Sequence, residues 1–180
     1  ELRASVSGDY FLSQQAVQQM VGVLLVSVLL LFFILAAQFE SLVQPFIILS
    51  EIVLDIFVVL VILYLLRLAI DLMSMTGLIV MAGIVINDSI LKVDTINRHR
   101  KSGMPLFESI VKAGRERLLP ILMTSLTTIF SLVPFLSGGS IGADLQFPLS
   151  LTILVGMVVG TGVSIFFVPI LYYVIYRKRK

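Results

Sequence analysis

The 180-residue sequence has no cysteine, a single histidine and few charges. The lack of cysteine excludes disulfides, zinc–thiolate sites and cysteine nucleophiles. The one histidine, His99, stands in the basic run Arg98-His99-Arg100-Lys101. With no second histidine to share a metal, it reads as a solvated surface residue. Charged residues make up 13% of the chain, about half the share usual in soluble domains. No charged n-region with a small-residue cleavage site opens the chain, which starts at Glu1 with a polar stretch over residues 1–18. The expectation is that further sequence lies upstream.

What is abundant is apolar. Hydrophobic residues reach 58%, against about 45–50% in soluble domains. A core this small cannot hide that excess, so it must face lipid. A bilayer span needs about 20 mostly apolar residues. Five stretches supply this, at residues 20–39, 46–66, 72–91, 118–136 and 149–173. Residues 21–37 carry one polar side chain, Ser27, and so have no polar face to turn to water. The fold class predicted is an all-α membrane bundle of five transmembrane helices.

The connections at 40–45 and 67–71 are short and predict tight antiparallel pairs, whereas 137–148 is Gly/Ser-rich and reads as a surface loop. Eleven of the thirteen Lys and Arg lie between the third and fourth stretches or after the fifth, and only Arg3 and Arg67 lie on the other side. The positive-inside rule then puts that loop and the C-terminus in the cytoplasm and the N-terminus outside. Within the long connection, Pro105 and Glu108 suit a helix start. Leu106, Ile110 and Ala113 form an apolar stripe. The segment is either a helix lying in the headgroup plane or a connector packed on protein. Gly156, Gly160 and Ser164 recur every four residues, a spacing that lets another helix approach closely. Tyr172, Tyr173 and Tyr176 read as a membrane-interface belt.

Three carboxylates interrupt the apolar runs: Glu51, Asp55 and Asp88, with Asn87 beside the last. Each charge inside a span costs about 2.5–3.5 kcal/mol on insertion scales, so each calls for a reason. At 1.5 Å per residue, Glu51 lies about 9 Å and Asp55 about 15 Å from the cytoplasmic end of the second helix. Asp88 lies about 6 Å from the same face on the third. The fourth helix adds Thr124, Ser125, Thr127, Thr128 and Ser131. Low dielectric disfavours a charged carboxyl, so such groups can bind and release protons, with hydroxyls passing them on and Arg117 as the nearby cation. The alternative is that the acids cap backbone, meet headgroups or pack neutral, and that the hydroxyls bond their own helix carbonyls. Asp88 either faces Glu51 and Asp55 or pairs with Lys92, four residues on.

The runs GLIVMAGIVINDSILKVDTIN (77–97), GMPLFESIVKAGRERLLPILMTSLTTIFSLVPF (103–135) and FFVPILYYVIYRKRK (166–180) resemble the resistance–nodulation–division (RND) efflux transporters, hydrophobe/amphiphile branch. The specific pattern is G-(M/K)-x-x-x-E-(A/S)-(I/V) followed by R-x-R-x-x-P-I-L-M-T. The resemblance covers nearly the whole chain and implies helices eight to twelve of a twelve-helix pump. It further implies a homotrimer in the bacterial inner membrane, working with a periplasmic adaptor and an outer-membrane channel, with the remainder of the same chain supplying seven helices and the periplasmic domains. Residues 1–19 then end a periplasmic domain, 20–97 hold three helices, 98–117 form a cytoplasmic amphipathic connector, 118–176 hold two helices and 177–180 a basic cytoplasmic tail. Protons are the implied coupling ion. No cofactor, metal or nucleic-acid partner is expected, and the activity is secondary transport rather than catalysis.

The family's relay residues carry over in part. Its arginine and threonine fall on Arg117 and Thr124, but its lysine position falls on Asn87. Asp88 stands where many relatives have asparagine, and Glu51 and Asp55 are additions to a helix that is commonly apolar. Two aspartates of the family's fourth helix lie outside this chain. Other readings are a relative exporting lipid or metal ions, or a non-transporting scaffold. Metal export would want methionines placed for soft ions, whereas Met73, Met75 and Met81 read as packing. An aspartyl-protease dyad of Asp55 and Asp88 is disfavoured, since the two differ in depth by about 9 Å and no Gly-x-Gly-Asp motif is present.

Overall fold

The computed structural model describes residues 2–68, 70–136 and 141–177. Within them the chain forms five helices: α1 (Leu2–Phe39), α2 (Val43–Leu65), α3 (Leu72–Lys101), α4 (Leu106–Leu136) and α5 (Ile141–Arg177). Each contains a stretch long and apolar enough to cross a membrane. Among the described residues there is no strand, so the all-α membrane bundle is the observed fold class.

The helices overrun the apolar stretches that announce them. The polar lead-in from Leu2 is helical, because backbone bonding continues where lipid burial stops. α3 runs ten residues past the expected end, to Lys101, and α4 starts twelve before the expected 118. At 1.5 Å per residue the 30 residues of α3 span about 45 Å, more than the ~30 Å hydrocarbon core. Its basic end therefore projects beyond the core. The Leu106–Ile110–Ala113 stripe belongs to α4 itself and packs on protein, with Ile110 and Ala113 buried beside Val93, Ile96, Val168 and Tyr172. The Gly/Ser-rich loop is shorter than expected, since α5 starts at Ile141 and runs through Pro148. Internal prolines are tolerated in membrane helices because neighbouring groups satisfy the freed carbonyls. Residues 137–140 of that loop and the basic residues 178–180 lie outside the described residues.

Local chemistry sets the helix ends. Asp71 caps α3, its Oδ1 accepting from the Ser74 N–H at 2.8 Å. Glu40 and Arg67 close α1 and α2 in the left-handed region, with φ of 48° and 56°. Gly103, φ 87°, turns the chain between α3 and α4, a conformation that glycine adopts without steric cost. His99 is not the solvated residue expected: its Nε2 lies 3.0 Å from a Glu116 carboxylate oxygen and ties α3 to α4.

α5 packs on α2, α3 and α4, while α1 touches α2 and α3. The close approach of α5 to α3 needs small residues. A Cβ on Gly77 would stand 2.9 Å from the Leu149 carbonyl oxygen, and one on Gly156 would stand 2.3 Å from Met81 Cγ. The buried apolar side chains fall into two clusters. One centres on Ile47, Ile48, Val93, Ile96, Val168 and Tyr172. The other centres on Val59, Leu63, Met81, Val85, Ile153 and Met157. Met75 and Met81 are packing residues, as expected. Tyr172 is wholly buried rather than part of an interface belt. On α2, α3 and α5 alike, buried polar residues lie between the two clusters, and they form the site described next.

Candidate functional site

Three helices meet in this layer. α2 brings Glu51 and Asp55, 0% and 1% exposed; α3 brings Ser89 and Lys92, 0% and 2%; α5 brings Ser164, 1%. Four-residue spacing puts Glu51 and Asp55 on one face of α2, turned to α3 and α5 by the apolar residues one turn to either side. Ser89 donates a short hydrogen bond to Glu51 Oε2 and lies 3.1 Å from Ser164 Oγ. The Lys92 ammonium donates to Ser164 Oγ at 2.8 Å, and also to the Ser164 carbonyl oxygen. A buried cation therefore reaches a buried carboxyl through two serines. Charges this deeply buried are tolerable only when paired and hydrogen-bonded.

Asp55 stands apart from this network. Neither of its carboxyl oxygens has a hydrogen-bond partner among the described residues, nor has Glu51 Oε1. Space for it comes from Gly160, where a Cβ would lie 3.2 Å from Asp55 Oδ2. The small-residue stripe on α5 thus serves two ends. Gly156 and Gly160 allow close packing, while Ser164 belongs to the polar site.

The other sequence candidates are placed differently. Asp88 is 8% exposed, and no hydrogen bond or ion pair engages it among the described residues. Of the two arrangements open for it, a salt bridge to Lys92 is not formed, since that ammonium turns to Ser164. The α3 side chain that meets Glu51 is Ser89, one residue on and about 100° round the helix. Asn87 is exposed on α3. Arg117 is half-buried and donates from Nε to Thr95 Oγ1 at 2.8 Å, joining α4 to α3 about one turn from Lys92. Thr124 is exposed and bonds the Pro120 carbonyl at 3.0 Å. Thr127, Thr128 and Ser131 also bond carbonyls of their own helix. Ser125 is the exception, 2.6 Å from Thr161 on α5.

Ser89 and Thr95 escaped the sequence reading, and Lys92 entered it only as one of the two partners open to Asp88. Lys92 looks like the first residue of a basic loop, yet Val93 and Ile96 beyond it are core. The available signal was that continuing apolar pattern, which places residues 88, 92 and 95 on one helical face.

A sequence profile of the AcrB/AcrD/AcrF family matches residues 2–176. The multidrug resistance protein MdtC of Erwinia amylovora is 29% identical over 180 residues, 99% of this chain and 18% of that protein. The swarming motility protein SwrC of Bacillus subtilis is 30% identical over 158 residues, 87% of this chain and 15% of that protein. Among solved structures, a heavy metal efflux pump superposes with a TM-score of 0.79 at 30% identity, covering 91% of this chain and 17% of that one. The chain thus spans under a fifth of the length of these relatives.

Proposed function

The chain belongs to the AcrB/AcrD/AcrF family of RND efflux transporters, and on that premise we propose that it is the transmembrane, proton-coupling part of an inner-membrane pump that exchanges protons for drugs or other amphiphiles. The observation that carries this reading is the polar file through the bundle. Its bonded part runs from Lys92 to Ser164 and Ser89 and on to Glu51; the Arg117–Thr95 pair lies about one turn from Lys92 on one side, and Asp55 lies one turn beyond Glu51 on the other, unbonded. Carboxyls held in such a file can take up and give back protons, and hydroxyls between them can relay. A proton on Glu51 removes the negative charge nearest to Lys92 through the serine bridge. The ammonium then holds Ser164 without the Glu51 charge across the serine bridge, which weakens the registration of α5 against α3 and α2. Loss of the proton restores it. Two states of one packed interface are what proton movement needs in order to drive distant motion.

By the same reading Arg117 sits at the cytoplasmic mouth of the file. Arg117→Ala in the intact transporter should reduce export at least ten-fold while expression and assembly stay intact. Export at the wild-type rate would remove Arg117 from the coupling path. Proton uptake linked to substrate export in proteoliposomes tests the reading as a whole, and export indifferent to an imposed proton gradient would sink it.

The orientation is part of the proposal: N-terminus periplasmic, C-terminus cytoplasmic, within a homotrimer that uses an adaptor and an outer-membrane channel. A cysteine at Ser140 should be labelled by an impermeant reagent from outside the cell, and one at Ser102 should not. The reverse pattern would overturn the topology. Export of a metal ion is the second reading, favoured by the heavy metal efflux pump of like fold. Against it, the buried methionines Met75, Met81 and Met157 serve the apolar core. Export of amphiphiles but not metal ions by the intact pump separates the two.

A further inference from the structure

A second polar cluster joins α2, α3 and α5 near the C-terminal end of α5. Gln44 and Asn97 exchange amide hydrogen bonds, Gln44 Nε2 donating to Asn97 Oδ1 at 3.1 Å and Asn97 Nδ2 to Gln44 Oε1 at 2.7 Å. From α5, the Tyr172 hydroxyl donates to Asn97 Oδ1 at 2.7 Å, and the Tyr176 hydroxyl accepts from Gln44 Nε2 at 3.0 Å. The two rings stack with centroids 4.4 Å apart. Arg100 of α3 donates to the Tyr172 hydroxyl at 3.3 Å, and its guanidinium covers the Tyr176 ring at 4.8 Å. Tyr172 is wholly buried and Gln44 nearly so. Amides do not titrate, and a guanidinium does not lose its proton in proteins. This clasp therefore holds the three helices together whatever the protonation of the carboxyls deeper in the bundle.

The clasp keeps register with the carboxyl layer. Gln44 lies seven residues from Glu51, Asn97 eight from Ser89 and Tyr172 eight from Ser164, which is about 10–12 Å along each helix. Ile47, Ile48, Val93, Ile96 and Val168 fill the interval and are wholly buried. Only on α5 does a proline break the backbone ladder there. Pro169 stands inside the helix, five residues past Ser164 and three before Tyr172. Having no N–H, it leaves the Ile165 carbonyl without its bond from one turn on, and helices bend at such points. Pro45 of α2 stands in the first turn, where its N–H would have no intrahelical partner. On the other side of Ser164, α5 meets α3 at Gly156 against Met81, a side chain type that adapts to a shifted neighbour.

We propose that α5 is a lever: the clasp pins its C-terminal end, Pro169 is its hinge, and the carboxyl layer acts on it at Ser164, so that the arm before Ser164 swings against α2 and α3. This rests on the proton-coupling reading of Glu51. With Glu51 ionised, Lys92 and Ser89 hold Ser164 in place. With Glu51 protonated that hold slackens while the clasp does not, so α5 turns about Pro169 instead of shifting whole. At 1.5 Å per residue Ser164 lies about 8 Å from the hinge and Gln146 about 35 Å, so movement at Ser164 is multiplied about four-fold at Gln146. The charged groups around Glu51 are Asp55 on its own helix and Asp88 and Lys92 on α3. α4 brings Arg117, held on Thr95. α5 brings only the Ser164 hydroxyl, and α1 carries no charge from Tyr10 to Phe39.

Spin labels on the intact transporter in lipid nanodiscs test this by double electron–electron resonance. A pair at Tyr64 and Gln146 reports the arm, and a pair at Arg98 and Arg177 reports the clasp; all four positions are exposed. Between mildly alkaline and mildly acidic pH the first distance should shift and the second should stay fixed. Glu51→Gln should abolish the shift, which separates it from titration of His99 against Glu116. Pro169→Ala restores the missing backbone bond. It should unfold no more easily than wild type, yet at least halve the shift and cut export at least five-fold, which a merely structural proline would not do. Tyr172→Phe keeps the buried ring and loses the hydroxyl bonds, so the clasp pair should then move with pH and the arm pair move less. A fixed arm distance in a transporter whose export still follows the proton gradient overturns the lever and leaves the coupling reading standing. Export indifferent to the gradient takes down both. Equal shifts of the two pairs, or a Pro169→Ala variant that shifts and exports like wild type, make α5 a rigid rod and overturn the lever as well.

Discussion

Replacing Lys92 by methionine in the intact transporter should abolish export and lower its stability by about 1–3 kcal/mol, the cost of leaving buried hydrogen-bonding groups without their partner. Methionine keeps the length of the side chain and removes the cation. Glu51, 0% exposed, is then left with a charge that nothing nearby balances. The Ser164 hydroxyl and carbonyl oxygen lose their ammonium donor. The double variant Glu51→Gln, Lys92→Met removes both charges and should recover most of the stability, because neutral replacements of a buried pair cost little. It should not recover export, since no group remains to exchange a proton at Glu51. Equilibrium unfolding in mixed micelles gives the first quantity and substrate export in cells the second. If Lys92→Met is as stable as wild type, the ammonium is solvated in the full-length protein. If the double variant exports normally, the pair is structural.

Asp55→Leu should have the opposite effect on stability with the same effect on export. Neither oxygen of this carboxyl is hydrogen-bonded among the described residues, and the residue is 1% exposed. Removing a buried polar group that has no partner returns its desolvation penalty, about 1–3 kcal/mol. Leucine has the same branching as aspartate, and Gly160 opposite leaves room. The variant should therefore unfold at higher denaturant concentration while export falls to the level of cells lacking the pump. Asp55→Asn, which holds the site permanently neutral, should be equally inactive. A residue retained against its own stability cost is expected where function needs it. Wild-type export in Asp55→Leu would end the assignment. A loss of stability would instead reveal a partner for Asp55 in the rest of the chain.

What the sequence determined by itself was the class, the number of spans and the order in which charge and apolarity alternate. Lipid demands runs of about 20 apolar residues with every backbone group bonded within the helix. Five such runs in 180 residues leave one architecture open. The carboxylates at 51 and 55 were equally legible, because a charge in such a run stands out wherever the helix points. Rotation was not legible. A helix apolar on every side carries no moment that separates its protein face from its lipid face, so no pattern told Ser89 from Asp88 as the neighbour of Glu51. The apolar pattern continuing at Val93 and Ile96 keeps residue 92 within the bundle, but it does not tell which neighbour the Lys92 ammonium meets. Those choices were made by α5, which packs against α3 through Gly77, Gly156 and Gly160 and carries Ser164 to Lys92. The contact joins residues 72 positions apart, and only the packed bundle brings them together.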